Sequence, residues 1–99
     1  MPTGIELIAE ERLRQVSEEG WTPEHDAEHV NGELADAAAC YAATPDFRDE
    51  LEEHTDEGLA DLLWPWDASW WKPSPDDRVR ELVKAGALIA AEIDRLQRL

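Results

Sequence analysis

The C-terminal segment, residues 76–99, constrains the fold of this 99-residue chain more than any other feature. It reads DDRVRELVKAGALIAAEIDRLQRL, and from Ala85 to Ala91 every residue is apolar or glycine, which predicts a helix enclosed on most sides. Ser74 followed by Pro75 is a typical helix start. We therefore expect a helix that forms the centre of a helical bundle. Its apolar residues at helical spacing are Val79, Leu82, Val83, Gly86, Ile89, Ile93 and Leu96.

The rest of the chain also predicts helices, and no alternating strand pattern occurs in it. A helix over residues 5–18 has Thr3 as a candidate N-cap and Gly20 as a candidate stop. A second helix begins near Asn31 or Gly32, and a third covers residues 45–63 with a break near Gly58. The length leaves little room for a second core, so we predict one all-α domain over residues 1–99 with about four helices. The buried stripe expected for the first helix is Ile5, Ala9, Leu13 and Val16.

Four of the five tryptophans lie in one proline-rich segment, WPWDASWWKPSP, at residues 64–75. Its three prolines exclude a regular helix or a central strand, so we expect an ordered loop before the last helix. The chain has one Phe and one Tyr, so indoles supply most of its large apolar surface. They either close the end of the bundle or present Trp70 or Trp71 to a nucleobase, with Lys72 near a phosphate. An anchored loop can do both.

The formal net charge is −15, from 24 acidic and 9 basic residues. This charge argues against direct nucleic-acid binding, because contacts to phosphates need basic patches. It is compatible with carboxylates gathered around a divalent cation, with an acidic surface that imitates nucleic acid for a basic partner, or with solubility alone.

One cysteine and the hydropathy pattern limit the compartment. Cys40 cannot form an intramolecular disulfide, and its alanine-rich surroundings predict a small buried thiol. No stretch reaches the ~18–20 apolar residues that cross a bilayer, and the N-terminus lacks the apolar core of a signal peptide. We expect no membrane partner and a cytoplasmic location.

Acidic residues of two predicted helices are candidates for a cation site. Glu33 and Asp36 face the same way on a helix, so both carboxylates can bind one Mg²⁺ ion, although a solvated face is the plain alternative. Glu81, early in the last helix, can complete that site. Lys84 either extends its ammonium group to the surface or reaches a phosphate or carboxylate in a central cleft.

The loop GWTPEHDAEHVNG carries the remaining candidates. His25 and His29 stand at i, i+4, and one helical turn is expected over residues 23–29. No third ligand is evident for a zinc ion. The open alternatives are contact of His25 or Asp26 with a ligand, and simple loop packing in which Trp21 docks under the prolines.

The set ERLRQ…EGWTPEHD…GELADAAACYA…WPW…WWKP…LVKAGALIAAEIDRL resembles a group of small phage and prophage proteins, over most of the chain except residues 44–62. More distantly, an ExxD helix followed by an E-L-x-x helix opening is similar to the all-α nucleoside triphosphate pyrophosphohydrolases, the MazG-like and dimeric dUTPase-like enzymes. That similarity implies an oligomeric, Mg²⁺-dependent enzyme. It places Glu33 and Asp36 in one acidic pair and Glu81 at the opening of the second. There Lys84 stands in place of the Asp that ends the family pattern.

These features together predict a nucleotide-binding, MazG-like protein in which Glu33, Asp36 and Glu81 hold Mg²⁺ and a water releases pyrophosphate. Lys84 would contact the phosphates, and Trp21 or an indole of the loop would hold the base. Thin helices that complete their core by association predict a homodimer. The alternative is a non-catalytic phage-encoded module: a nucleotide sponge, or an acidic decoy that blocks a host defence complex that binds nucleic acid. A third possibility is a structural protein whose tryptophan loop docks a partner.

Overall fold

A computed structural model describes all residues 1–99, and it consists of helices joined by loops. The all-α prediction is confirmed, as is the break within the third predicted helix. No helix combines the length and the apolar character needed to cross a membrane. The helices are α1 (Gly4–Glu19), α2 (Pro23–Asp26), α3 (Glu33–Ala42), α4 (Pro45–Thr55), α5 (Leu59–Leu63) and α6 (Arg78–Gln97), with a 3-10 turn at Ala68–Trp70.

The helix ends follow local rules that the sequence shows. The Thr3 hydroxyl accepts a hydrogen bond from the Glu6 N–H, and the Glu6 carboxylate accepts one from the Thr3 N–H. Gly20 ends α1 with φ 72°, a left-handed conformation that glycine adopts without strain. Thr44 caps α4 directly before Pro45. The predicted starts and stops of α1 and α4 are therefore confirmed. The predicted start of the last helix at Ser74 and Pro75 is wrong, because Asp77 caps α6 by accepting a hydrogen bond from the Arg80 N–H.

The core forms where α3 and α6 pack against each other through small side chains. Arg78, at the start of α6, donates hydrogen bonds to the carbonyls of Tyr41 and Ala43 at the end of α3, at 2.9 and 3.0 Å. The two helices therefore run antiparallel, and their alanines let the backbones approach closely. Cys40 is buried in the same region, as predicted. The core residues are Leu34, Ala37, Ala38, Tyr41, Ala85, Leu88 and Ala91.

The first helix turns a different face inward from the one predicted. Glu11 and Gln15 are 3% and 2% exposed, whereas Ile5 and Leu13 are 82% and 70% exposed. The reason is an ion pair between helices, because Glu11 accepts a hydrogen bond from the Arg80 guanidinium of α6 at 2.6 Å. A partner distant in sequence thus overrides the apolar periodicity of α1.

The last helix likewise leaves most of its large aliphatic side chains in solvent. As predicted, α6 is the central element, because it packs against α1, α2 and α3. The predicted enclosure on most sides is wrong, because Ile89 within the apolar run is 47% exposed. The helix is covered by α1 and α3 on its small-residue side, where Ala87 and Leu88 are buried together with the carboxylate of Glu81. The exposed residues are Val79, Leu82, Ile89, Ile93 and Leu96.

The tryptophan loop closes one end of the bundle. Trp64, Trp66 and Trp71 pack against the core, and the Trp71 ring lies 4.8 Å from the Tyr41 ring between centroids. Trp70 is 52% exposed. The loop is therefore an anchored plug that leaves one indole at the surface.

Candidate functional site

An aromatic cleft of about 370 Å³ opens between the α1–α2 segment and the tryptophan loop. Four aromatic rings line its wall, Trp70 lies at its edge, and the carboxylates of Glu19 and Asp67 complete the lining. The four wall rings are Trp21, His25, His29 and Trp66.

The four rings contact one another in a closed circuit. Trp21 and His25 are within 5° of parallel with centroids 6.4 Å apart, and His25 meets His29 nearly edge-on at 4.8 Å. His29 and Trp66 lie 5.2 Å apart, and Trp66 returns to Trp21 at 5.9 Å. The local sequence arranges this, because Thr22 caps α2 and Pro23 begins it, so that Trp21, His25 and His29 follow at intervals of one turn.

Asp26 supports His25 from behind and does not line the cleft. It is fully buried, and one of its oxygens pairs with the Arg12 guanidinium, which also donates to the Trp21 carbonyl at 3.1 Å. The other oxygen lies 3.6 Å from His25 Nδ1, and neither atom has a hydrogen-bond partner. A shift of about 0.5 Å would form a hydrogen bond between them. A proton held on Nδ1 would leave Nε2 as the nitrogen available to a ligand.

Two further buried polar atoms of the cleft lack partners. They are His29 Nε2 and the indole nitrogen of Trp66. A buried polar group without a hydrogen bond costs about 1–3 kcal/mol. Both atoms are shielded inside the ring cluster, so a bound molecule would remove that cost only if the rings shift to expose them.

The charges around the cleft are mostly negative. Glu19 is held by Arg14 at 3.1 Å, and Asp67 lies exposed at the edge. A backbone hydrogen bond from Ser69 lowers the pKa of Asp67. No Lys or Arg lines the cleft. The nearest loop cation is the exposed Lys72, whose Nζ lies 5.7 Å above the Trp70 ring.

The structure does not assemble the predicted cation site of Glu33, Asp36 and Glu81. The Glu81 carboxylate is fully buried and accepts hydrogen bonds from Arg48 at 2.6 Å, from Arg78 at 3.0 Å and from the Ser74 N–H at 3.1 Å. Burial alone would raise the pKa of Glu81, but these bonds hold it below its ordinary value. Glu81 therefore neutralises two partly buried arginines.

Glu33 and Asp36 lie at the other end of the antiparallel helix pair. Glu33 accepts a hydrogen bond from the Asn31 N–H at 2.6 Å, and its second oxygen lies 3.5 Å from His29 Nδ1. Asp36 is half-buried one turn further along α3. No group of three or more His, Cys, Asp or Glu side chains is arranged to hold a metal ion. Glu33 therefore contacts the cleft indirectly, through His29.

Lys84 and Trp71 also lie away from the cleft. The Lys84 ammonium donates a hydrogen bond to the Lys72 carbonyl at 3.1 Å and lies 5.2 Å above the Tyr41 ring. Burial lowers the pKa of Lys84. Trp71 packs on Tyr41 and Trp64. Lys84 thus bonds the loop to α6, and this contact stands in place of the predicted contact with phosphates. Trp71 belongs to the part of the loop that closes the bundle.

The structure adds four residues to the predicted ligand set: His29, Trp66, Glu19 and Asp67. The i, i+4 spacing of His25 and His29 is a sequence signal for one of them, although that spacing by itself indicates a metal motif. Trp21, His25 and Trp70 are predicted residues that the cleft does bring together.

In comparisons with known proteins, no family model, no curated protein and no solved structure matches this chain at a significant level. The resemblances to small phage proteins and to MazG-like enzymes therefore stay predictions from motifs.

Proposed function

We propose that the protein binds a planar heterocycle, the base of a nucleoside or nucleotide, in the aromatic cleft and holds it without cleaving it. The observation that carries the proposal is the circuit of four rings with two unpaired buried nitrogens, on His29 and Trp66. A flat π-system stacks on such faces, and the polar edge of a base can pair with the two nitrogens once the rings shift to expose them.

The dimensions favour a base with its sugar over a whole nucleoside triphosphate. The cleft volume of about 370 Å³ is near the lower end of the range of about 300–1,000 Å³ for ligand pockets. A phosphate chain would have to leave the cleft near Lys72, against the field of a chain with net charge −15.

The carboxylates at the cleft determine which polar groups of a ligand can bind there. An ionised carboxylate only accepts hydrogen bonds, so Glu19 and Asp67 favour amino groups of a base or hydroxyl groups of a sugar. We expect nucleosides to bind more tightly than the corresponding triphosphates.

Storage is better supported than hydrolysis. Metal-assisted release of pyrophosphate needs carboxylates free to hold Mg²⁺ beside the phosphates. Glu81 is occupied by Arg48 and Arg78, and Glu33 is bonded to the Asn31 N–H. The sponge version of the nucleotide hypothesis therefore fits the side chains better than the pyrophosphohydrolase version does.

The test is titration of the protein with nucleosides, nucleoside monophosphates and nucleoside triphosphates, with and without Mg²⁺. Calorimetry and tryptophan fluorescence measure the binding. Trp70→Ala should weaken binding about 5- to 160-fold, since one base–indole stack contributes about 1–3 kcal/mol. Phe47→Ala is the matched control, because Phe47 is equally exposed but lies on α4. Absence of binding would refute the cleft proposal, and release of monophosphate with Mg²⁺ would restore the hydrolase hypothesis.

A second function, the acidic decoy, is favoured by the distribution of charge. Of the nine Lys and Arg residues, only Lys72 and Arg98 are exposed, because the arginines mostly bond to carboxylates of the chain. The surface is therefore more uniformly negative than the composition suggests. Four acidic residues of α4 and its C-cap form one such surface: Asp49, Glu52, Glu53 and Asp56.

The decoy is tested by competition. The protein would displace DNA from a host defence complex that binds nucleic acid, and replacement of Asp49, Glu52 and Glu53 by their amides should weaken that displacement. Trp70→Ala should leave displacement unchanged, which distinguishes the decoy from the ligand-binding function. Equal displacement by the amide variant would contradict the decoy.

A further inference from the structure

The exposed face of α6 is apolar from Val79 to Leu96. Between Val79 and Leu96, every exposed residue of this helix is a large aliphatic one. With Gly86 they stand at alternating intervals of three and four residues, which is the a/d pattern of a coiled coil. We call these residues the α6 seam: Val79, Leu82, Gly86, Ile89, Ile93 and Leu96.

Most charged residues of α6 bond to partners away from this seam. Arg78 and Glu81 pair with each other, Arg80 bonds to Glu11 of α1, and Arg95 bonds to Glu92 at 2.5 Å. The helix is therefore inverted relative to an ordinary surface helix, with ion pairs inside and aliphatic side chains outside. A contiguous exposed apolar stripe of this kind is typical of an interaction surface.

The seam is complementary to itself when its direction is reversed. Two antiparallel copies that cross between Ala87 and Leu88 would place Val79 opposite Leu96, Leu82 opposite Ile93 and Gly86 opposite Ile89. A two-fold interface requires this reciprocity, in which residue i meets j and residue j meets i.

The centre and the ends of the seam support the same arrangement. At Gly86 the space for a side chain is filled by Ile8 of α1, since a Cβ atom there would lie 2.5 Å from Ile8 Cδ1. Ile89 of a second copy would therefore pack on Ile8. At the ends, the exposed Asp77 of one copy would meet the exposed Arg98 of the other. The charges are thus also complementary.

We propose that the partner of the α6 seam is a second copy of this chain, bound antiparallel about a two-fold axis. No residue of the seam lines the aromatic cleft. Association can therefore be tested without reference to ligand binding.

The first test is the mass in solution by sedimentation velocity. The protein should sediment as twice the 11.2 kDa chain mass, and Ile89→Glu should halve that mass. Phe47→Glu is the control, because it places the same charge at an equally exposed site off the seam and should leave the dimer intact. Circular dichroism checks that both variants keep their helices. A wild-type protein that sediments as a single chain at every concentration would overturn the proposal.

The second test fixes the orientation by cysteine cross-linking. In the antiparallel pair, position 82 faces position 93, whereas the two copies of position 82 lie about 16 Å apart along the axis. A disulfide needs Cβ atoms about 4 Å apart. A mixture of Leu82→Cys and Ile93→Cys should therefore cross-link on oxidation, and neither variant alone should. The natural Cys40 is buried and does not interfere. Cross-linking of Leu82→Cys alone, or none in the mixture, would overturn the antiparallel arrangement.

Discussion

At the residue scale, arginine partners decide what each buried carboxylate does. Glu81, Glu11 and Asp26 are all nearly or fully buried, and each bonds to at least one guanidinium. A buried carboxylate is stable only with such partners. The Glu81 carboxylate therefore stabilises the fold, although its position in the sequence also fits a metal ligand.

Replacement of Glu81 should reveal this structural role. Glu81→Gln removes the negative charge between Arg48 and Arg78, so we expect the free energy of unfolding to fall by about 3 kcal/mol. Urea denaturation measures the change. Glu53→Gln, on the exposed face of α4, is the control and should change stability by less than about 0.5 kcal/mol. An unchanged denaturation midpoint for Glu81→Gln would show that the buried pairs do not stabilise the fold.

The same carboxylates set the response to acid. The pKa values of Glu11 and Glu81 are held below the ordinary 4.5 by their arginines, against the effect of burial. Their stabilisation is therefore complete above pH 4.5 and is lost as the pH falls through the lower folded-state pKa values. We expect thermal stability to decrease below pH 4.5 with a smaller slope in Glu81→Gln. Equal slopes for the two proteins would contradict this assignment.

At the element scale, the packing of α1 against α6 depends on one glycine. In a helix interior, glycine is about 1 kcal/mol less favourable than alanine, so its presence in α6 needs a reason. An added Cβ at Gly86 would lie 2.5 and 2.8 Å from Cδ1 and Cγ1 of Ile8. Rotation of the Ile8 side chain about its Cβ–Cγ1 bond would move only Cδ1, so Cγ1 would still lie 2.8 Å from the added Cβ. Gly86 therefore permits the close approach of the two helices.

Gly86→Ala should consequently destabilise the protein, by about 1 kcal/mol, because the clash exceeds the gain in helix propensity. In an Ile8→Ala background the same change should stabilise, since the obstructing side chain is gone. A double-mutant cycle by thermal denaturation measures this reversal of sign. Additive effects of the two substitutions would mean that Ile8 and Gly86 are not coupled.

At the scale of the whole molecule, internal ion pairs concentrate negative charge on the surface. Several arginines form ion pairs with buried carboxylates. Helix α4 has no buried residue and exposes its acidic side chains. Its acidic residues face solvent within a molecule only 39 Å across. Repulsion among surface carboxylates therefore opposes the compact state.

Salt should stabilise this protein. Raising NaCl from about 0.01 M to about 0.1 M shortens the screening length from about 30 Å to about 10 Å, while the buried pairs are screened less. We expect Tm to rise by about 4–8 °C, which corresponds to about 1 kcal/mol for a domain of this size. A variant in which Asp49, Glu52, Glu53 and Asp56 are replaced by Asn or Gln should show a smaller rise of Tm with salt. A fall of Tm with salt would indicate that surface pairs dominate instead.

The sequence alone determined the helices and most of their ends, and it predicted an ordered loop at residues 64–75. Caps, prolines and glycines act on their immediate neighbours, so Thr3, Gly20, Thr44 and the proline-rich loop could be interpreted without the fold. Trp21, His25 and Trp70, which the sequence suggests as ligand contacts, all line the cleft, and their contact with a ligand stays a prediction.

Only the tertiary structure decided which face of each helix is buried and which carboxylates are free. Arg48 lies 33 positions from Glu81, and Arg80 lies 69 from Glu11, so no local pattern shows that these acids are already paired. The aliphatic stripe of α6 has the periodicity of a core, and periodicity does not distinguish a core within one chain from a surface between two. Burial depends on the partners that the fold supplies, and those contacts join distant parts of the chain.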